Sequence, residues 1–205
     1  MINELIGTVL QILIFALIPF LVYLFQKKTA KGFFDDIGLK KSTKRANFLA
    51  IFACLLFAAP PLILTLVSND FKAIMIDPNS LTGKIREMGM GVQTLFILLL
   101  MALFKTSLAE EILFRGFLAK RLIRMAGFVK GNIIQAVLFG MIHTVLFAFT
   151  TNNPVFLTVI FIIPAIGAYV SVYLNERIAN GSIIPGWISH GLANVLAYSF
   201  VGFLL

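Results

Sequence analysis

Apolar residues run through this chain in six long blocks, at 5–25, 48–67, 92–118, 132–149, 154–174 and 183–204, separated by short polar connections. Each block is close to the roughly 18 to 25 residues that carry an α-helix across a bilayer. The pattern predicts an all-α fold, a polytopic membrane helical bundle of about six transmembrane helices forming a single domain over 1–205. The third block is the longest and is expected to tilt or protrude. Pro60, Pro61 and Pro164 lie within blocks and predict kinks. Pro185 falls in a first helical turn, where its missing N–H costs little. The connection 68–91 is polar, contains DPNS and two late glycines, and has room for a short surface helix.

Composition agrees with the pattern. The chain is 60% hydrophobic and 13% charged, with a mean hydropathy of +0.97, whereas soluble domains are nearer half apolar and a quarter charged. A net charge of +8 could suggest nucleic acid, but the basic residues cluster at the ends of apolar blocks, so no nucleic-acid partner is expected. Twelve Lys and Arg lie in the first, third and fifth connections, against three in the second and fourth. This bias predicts cytoplasmic odd connections, with the N-terminus and C-terminus both outside. The first block lacks a basic leader and a small-residue cleavage site and is expected to remain as a helix. Cys54 is the only cysteine. It forms no internal disulfide and is expected to pack as a small apolar residue.

Few ionisable groups interrupt the blocks, and each is a candidate for function. They are Lys105, Glu110, Glu111, Arg115, His143 and His190, joined by the neutral Asn194; the two histidines are the only ones in the chain. At ~1.5 Å of rise per residue, Glu110, His143 and His190 lie roughly 12, 16 and 10 Å from the cytoplasmic ends of their blocks, and so share one layer. Glu111 and Arg115 are four apart and can pair along one helical face. Glu110 points about a third of a turn away on a regular helix and is left without the arginine. The plain structural alternatives are a buried ion pair for Glu111–Arg115 and helix-contact roles for Glu110 and Asn194. Phe139, one turn before His143, is expected to pack beside the site. Ser189 adjoins His190 in sequence, so their side chains diverge and form no nucleophile–base pair. Lys105 could snorkel, line a wet cavity or pair with an acid one turn away, and receives no role.

At these residues the chain resembles the CPBP family of intramembrane proteases, also called the Abi or CAAX-protease family. The family's EExxxR is present as Glu110, Glu111 and Arg115, its FxxxH as Phe139 and His143, and its HxxxN as His190 and Asn194. The three motifs stand in the family's order on separate blocks, and the resemblance covers 92 to the C-terminus; before it, only GFFDDIGLKK is loosely similar. The resemblance implies hydrolysis of a peptide bond near the cytoplasmic side of the membrane, with a peptide or membrane-protein substrate and the bilayer as surroundings. Glu110 and His143 would activate a water, His190 and Asn194 would stabilise the oxyanion, and Glu111 and Arg115 would support the helix. A carboxylate kept from bulk water suits a general base, and imidazole and amide N–H groups suit a developing oxyanion.

Two mechanisms remain open. The favoured one is glutamate-dependent and uses no cofactor. In the other, Glu110, His143 and His190 hold a divalent metal such as zinc with an open position for water. No HExxH accompanies the set, and its members come from three helices. A bacterial cytoplasmic membrane is the expected location. The functional alternatives are a non-catalytic membrane regulator or bacteriocin-immunity protein on the same fold, and an ion pathway, for which inverted repeats are missing.

Overall fold

In the computed structural model, which describes residues 2–205, the chain forms nine helices and, among the described residues, no strand. They are α1 (Ile2–Lys27), α2 (Phe33–Asp36), α3 (Lys44–Val67), α4 (Asn69–Met75) and α5 (Leu81–Met88). A 35-residue α6 (Val92–Ala126) follows, then α7 (Phe128–Ala148), α8 (Pro154–Ile178) and α9 (Ile184–Phe203). Local chemistry marks the starts. Thr43 and Asn153 accept hydrogen bonds from Ala46 N–H and Phe156 N–H, at 3.2 and 3.0 Å, as N-caps of α3 and α8. The connection 68–91 holds two short helices where one was expected.

Helices α1, α3, α6, α7 and α8 are long and apolar enough to cross a membrane. The sixth expected span is helical as α9 but does not join them. The reason is its position: α9 packs against α3, α5, α6 and α8 and forms the centre of the bundle. Within it Leu196 is the only large apolar side chain exposed among the described residues. Its outward contacts are with protein, so it can carry Ser189, His190, Asn194 and three glycines. Peripheral α1 shows the reverse pattern. It packs on α6, buries only Thr8, Pro19 and Tyr23, and exposes a band of Leu, Ile and Val suited to lipid.

Helix α6 departs from a regular α-helix in two places. Leu100–Leu108 and Glu111–Ala119 are π-helical, with the wider i→i+5 turn. Glu110 sits between them. The uniform rotation of about 100° per residue assumed from sequence does not hold along this helix. Glu111 and Arg115 still share a face, because four residues are close to one turn of either form.

The basic connections gather at one end of the bundle and are tied together there. Lys120 Nζ donates to Glu176 Oε1 at 2.7 Å and to the Gly181 carbonyl at 2.8 Å. Arg124 reaches Asp36 at 3.5 Å. The segment after α2 runs beside the entry to α9: Ile183 N–H donates to Gly38 O at 2.9 Å, and Ser182 Oγ donates to Lys40 O at 2.6 Å. Gly38 has φ +78°, and a Cβ there would overlap the Gly181 carbonyl. Left-handed backbone and close approach together demand glycine. Replacing Gly38 with alanine should therefore lower stability by roughly 1–3 kcal/mol, read as a lower unfolding midpoint in detergent. An unchanged midpoint would show that this turn does not hold α9 in place.

Candidate functional site

The site lies where the middle of α6 meets α7 and α9. The two π-helical segments set its register on α6, and His190 reaches in from α9. His190 stands between the paired glutamates, with Nε2 3.8 Å from Glu110 Oε2 and Nδ1 3.3 Å from Glu111 Oε1. Glu111 has no exposed surface and also lies 3.2 Å from Arg115 Nε, which is 2% exposed. Buried charge of this kind survives only when paired. Glu111 is thus shared between Arg115 and His190, which extends the simple Glu111–Arg115 pair expected from sequence.

Helix α7 supplies Phe139 and His143. Arg115 Cζ lies over the Phe139 ring at 3.9 Å, and that ring is 4.4 Å from His143 and 6.0 Å from His190. Phe139 thus separates the guanidinium from both imidazoles and holds all three in place. His143 Nδ1 is 2.9 Å from the Phe139 carbonyl. A carbonyl only accepts, so Nδ1 carries the proton, and in the neutral ring Nε2 keeps its lone pair. The same logic places a proton on His190 Nδ1, facing the Glu111 carboxylate. Glu110 Oε2 is buried with no hydrogen-bond partner, because 3.8 Å to His190 exceeds a direct bond.

Asn194, expected as an oxyanion donor, directs its amide at α6 in this structure. Its Nδ2 donates to Thr106 Oγ1 at 3.0 Å and to Ser107 Oγ at 3.1 Å. Both hydroxyls donate in turn to backbone carbonyls of α6, Thr106 to Met101 and Ser107 to Ala102. They must therefore accept from the amide, which uses both of its N–H groups. Asn194 fastens α9 to the first π-helical segment. Thr106 and Ser107 were missed from sequence, although two adjacent hydroxyls just before the glutamate pair were a visible signal. Asn175 and Gly186 were also missed. Gly186 N–H donates to Asn175 Oδ1 at 2.9 Å, and a Cβ on Gly186 would overlap Glu111 Oε2.

Lys105 lies outside this constellation. Its Nζ is 2.9 Å from Glu4 Oε2, so its partner is on α1 and not one turn away on α6. Ser189 is fully buried and donates to Gly186 O at 3.0 Å, turned from His190 as expected.

Among the described residues no three His, Cys, Asp or Glu side chains converge as a ligand set, and no carboxylate lies within ion-pair distance of His143.

The separation of roles has a stability consequence. Arg115→Leu would leave Glu111 buried without its cation and should cost about 3–5 kcal/mol. Glu110→Gln removes no hydrogen bond and should shift stability by less than ~1 kcal/mol. Unfolding midpoints in detergent compare the two, and equal losses would contradict the division.

Comparison with curated proteins and with solved structures returned no match. A family model described as type II CAAX prenyl endopeptidase Rce1-like matches residues 92–196, from the start of α6 into α9. That interval contains all three motifs and every side chain of the site described above. The chain belongs to the type II CAAX prenyl endopeptidase Rce1-like family.

Proposed function

We propose that the protein is an intramembrane endopeptidase that hydrolyses a peptide bond near the basic, cytoplasmic end of the bundle, with Glu110 as general base. The observation carrying this is the uncommitted lone pair of Glu110 Oε2. It is buried, without a hydrogen-bond partner, and directed at a histidine. An unpaired buried polar atom calls for a physical explanation, and a catalytic role is one; Glu111 Oε2 and Arg115 Nη1 beside it also lack hydrogen-bond partners, but both residues belong to the Glu111–Arg115 ion pair.

The chemistry requires no group beyond this chain and water. Glu110 takes a proton from water while His143 Nε2 orients it. The hydroxide adds to the substrate carbonyl. His190 keeps Nδ1 on Glu111 and presents its Nε2 edge to the oxyanion, donating a hydrogen bond there when that nitrogen carries a proton. Collapse breaks the C–N bond, and the proton on Glu110 passes to the leaving amine. Asn194 acts as a positioning residue by holding the His190 turn of α9 against Thr106 and Ser107. Glu111 and Arg115 set the orientation of His190.

Purified protein in proteoliposomes should cleave a suitable apolar peptide. Glu110→Gln and His143→Ala should each lower kcat by roughly 10²- to 10⁴-fold with the unfolding midpoint retained. Full activity in either variant would refute the assignment. Asn194→Ala should lower activity and also shift the unfolding midpoint. Activity should persist after chelation, with no stoichiometric metal by elemental analysis. A stoichiometric ion needed for turnover would replace this mechanism with a metal-assisted one. If a biological effect of the protein survives Glu110→Gln unchanged, its role is that of a non-catalytic regulator.

A further inference from the structure

The basic end of the bundle holds a hollow that shares no residue with the site on α6, α7 and α9. Its volume is about 600 Å³, and it opens at the surface between the segment after α2, the start of α3 and the start of α9. Lys40, Lys41 and Lys44 line it, together with Ser42, Asn47 and Ile184. Lys40 and Lys41 close the GFFDDIGLKK stretch, which the proposed hydrolysis leaves without a role.

The positive charge in this hollow is not neutralised by the protein. The nearby acids are already taken: Asp36 faces Arg121 and Arg124 at 3.9 and 3.5 Å, and Lys120 holds Glu176 at 2.7 Å. Among the described residues, Lys40, Lys41 and Lys44 have no acid within ion-pair distance. Lysines held around one hollow repel each other, and an anion between them turns repulsion into attraction. The first turn of α3 carries Lys44 and Arg45 and no acid, against the preference of a helix N-terminus for negative charge. Two polar atoms of the lining are uncommitted as well. Ser42 Oγ and Asn47 Oδ1 are buried without a hydrogen-bond partner. The hydroxyl can donate to a phosphate oxygen, and the amide oxygen can accept from a hydroxyl.

The surface next to the hollow identifies the source of such an anion. Asn47, Ile51 and Leu55 follow at four-residue intervals and share one face of α3. Ile51 and Leu55 are exposed, as are Phe48 and Phe52 beside them. An apolar strip thus leads from the hollow along the membrane-spanning part of α3. A free phosphate has no use for that strip, whereas a lipid has an acyl chain to lay on it.

We propose that this hollow binds the headgroup of an anionic phospholipid, with its phosphate among Lys40, Lys41 and Lys44 and its acyl chains along α3. The site is independent of the endopeptidase reading. Ser182 Oγ, just before α9, donates to the Lys40 carbonyl at 2.6 Å, and Ile184 of α9 is part of the lining. A bound headgroup therefore braces the segment that holds the start of α9, and occupancy should stabilise the fold.

For the test, delipidated protein in maltoside detergent is titrated with dioctanoyl phosphatidylglycerol, dioctanoyl phosphatidylcholine or inorganic phosphate. Native mass spectrometry counts bound lipid, and the unfolding midpoint is followed in parallel. Phosphatidylglycerol should bind as one molecule per chain and raise the midpoint; phosphatidylcholine at the same concentration should do neither. Lys40→Gln, Lys41→Gln and Lys44→Gln together should weaken the affinity roughly 10- to 100-fold. Lys44→Gln alone, at an exposed position, should weaken it about 3- to 10-fold and keeps the site testable if the triple variant does not fold. Lys27→Gln, Lys28→Gln and Lys31→Gln together remove the same charge outside the hollow and should change the affinity less than about twofold. An equal loss in that control would reduce the effect to general surface charge and overturn the site. Equal binding of phosphatidylcholine, or no saturable binding of phosphatidylglycerol, would also overturn it. If inorganic phosphate raises the midpoint as far as phosphatidylglycerol does, the occupant is free phosphate and the lipid assignment falls.

Discussion

Glu111 has no exposed surface and carries a negative charge into the middle of an apolar bundle. Uncompensated, that charge would cost several kcal/mol. Arg115 and His190 both come within 3.3 Å of it, and the surrounding architecture follows from keeping them there. Arg115 has to lie nearly one turn further along α6. His190 has to arrive from another helix, which draws α9 against the middle of α6. Gly186 has to lack a Cβ so that the α9 backbone can pass the carboxylate. Phe139 then covers the guanidinium with its ring. The demand to neutralise one buried carboxylate therefore organises three helices.

The π-helical turns of α6 serve the same end. Wider turns on both sides of Glu110 alter the direction of the side chains that follow, and such turns often mark functional positions. They have a supporting contact in Asn194, whose amide bonds the Thr106 and Ser107 hydroxyls within the first π-helical segment. The site is thus held from below by an ion pair and from above by an amide–hydroxyl cluster. Glu110 lies between these supports and is committed to neither, which leaves its Oε2 without a hydrogen-bond partner.

Helix α9 shows how position changes what a membrane helix can contain. A helix facing lipid must be apolar around its outer surface, as α1 is. A helix surrounded by others answers only to their packing. That freedom allows glycines, serines, a histidine and an asparagine on one segment, and it explains why α9 falls short of the apolarity of the other long helices.

Much of this was present in the order of residues alone. The apolar blocks, the gathering of positive charge in alternate connections and the three motifs follow from composition and spacing, because bilayer thickness and helical rise are fixed lengths. The pairing of Glu111 with Arg115 could be read because four residues nearly close a turn in either helical form. Other features depended on contacts between distant segments. The π-helical register, the position of His190 between two glutamates, the use of both Asn194 N–H groups on α6, and the Lys105–Glu4 pair each join residues far apart in the chain or alter a helix that local propensity would leave regular. Spacing along one helix specifies which side chains share a face. Which of those faces meet, and therefore which polar atoms are satisfied and which remain free, is decided only when the helices pack.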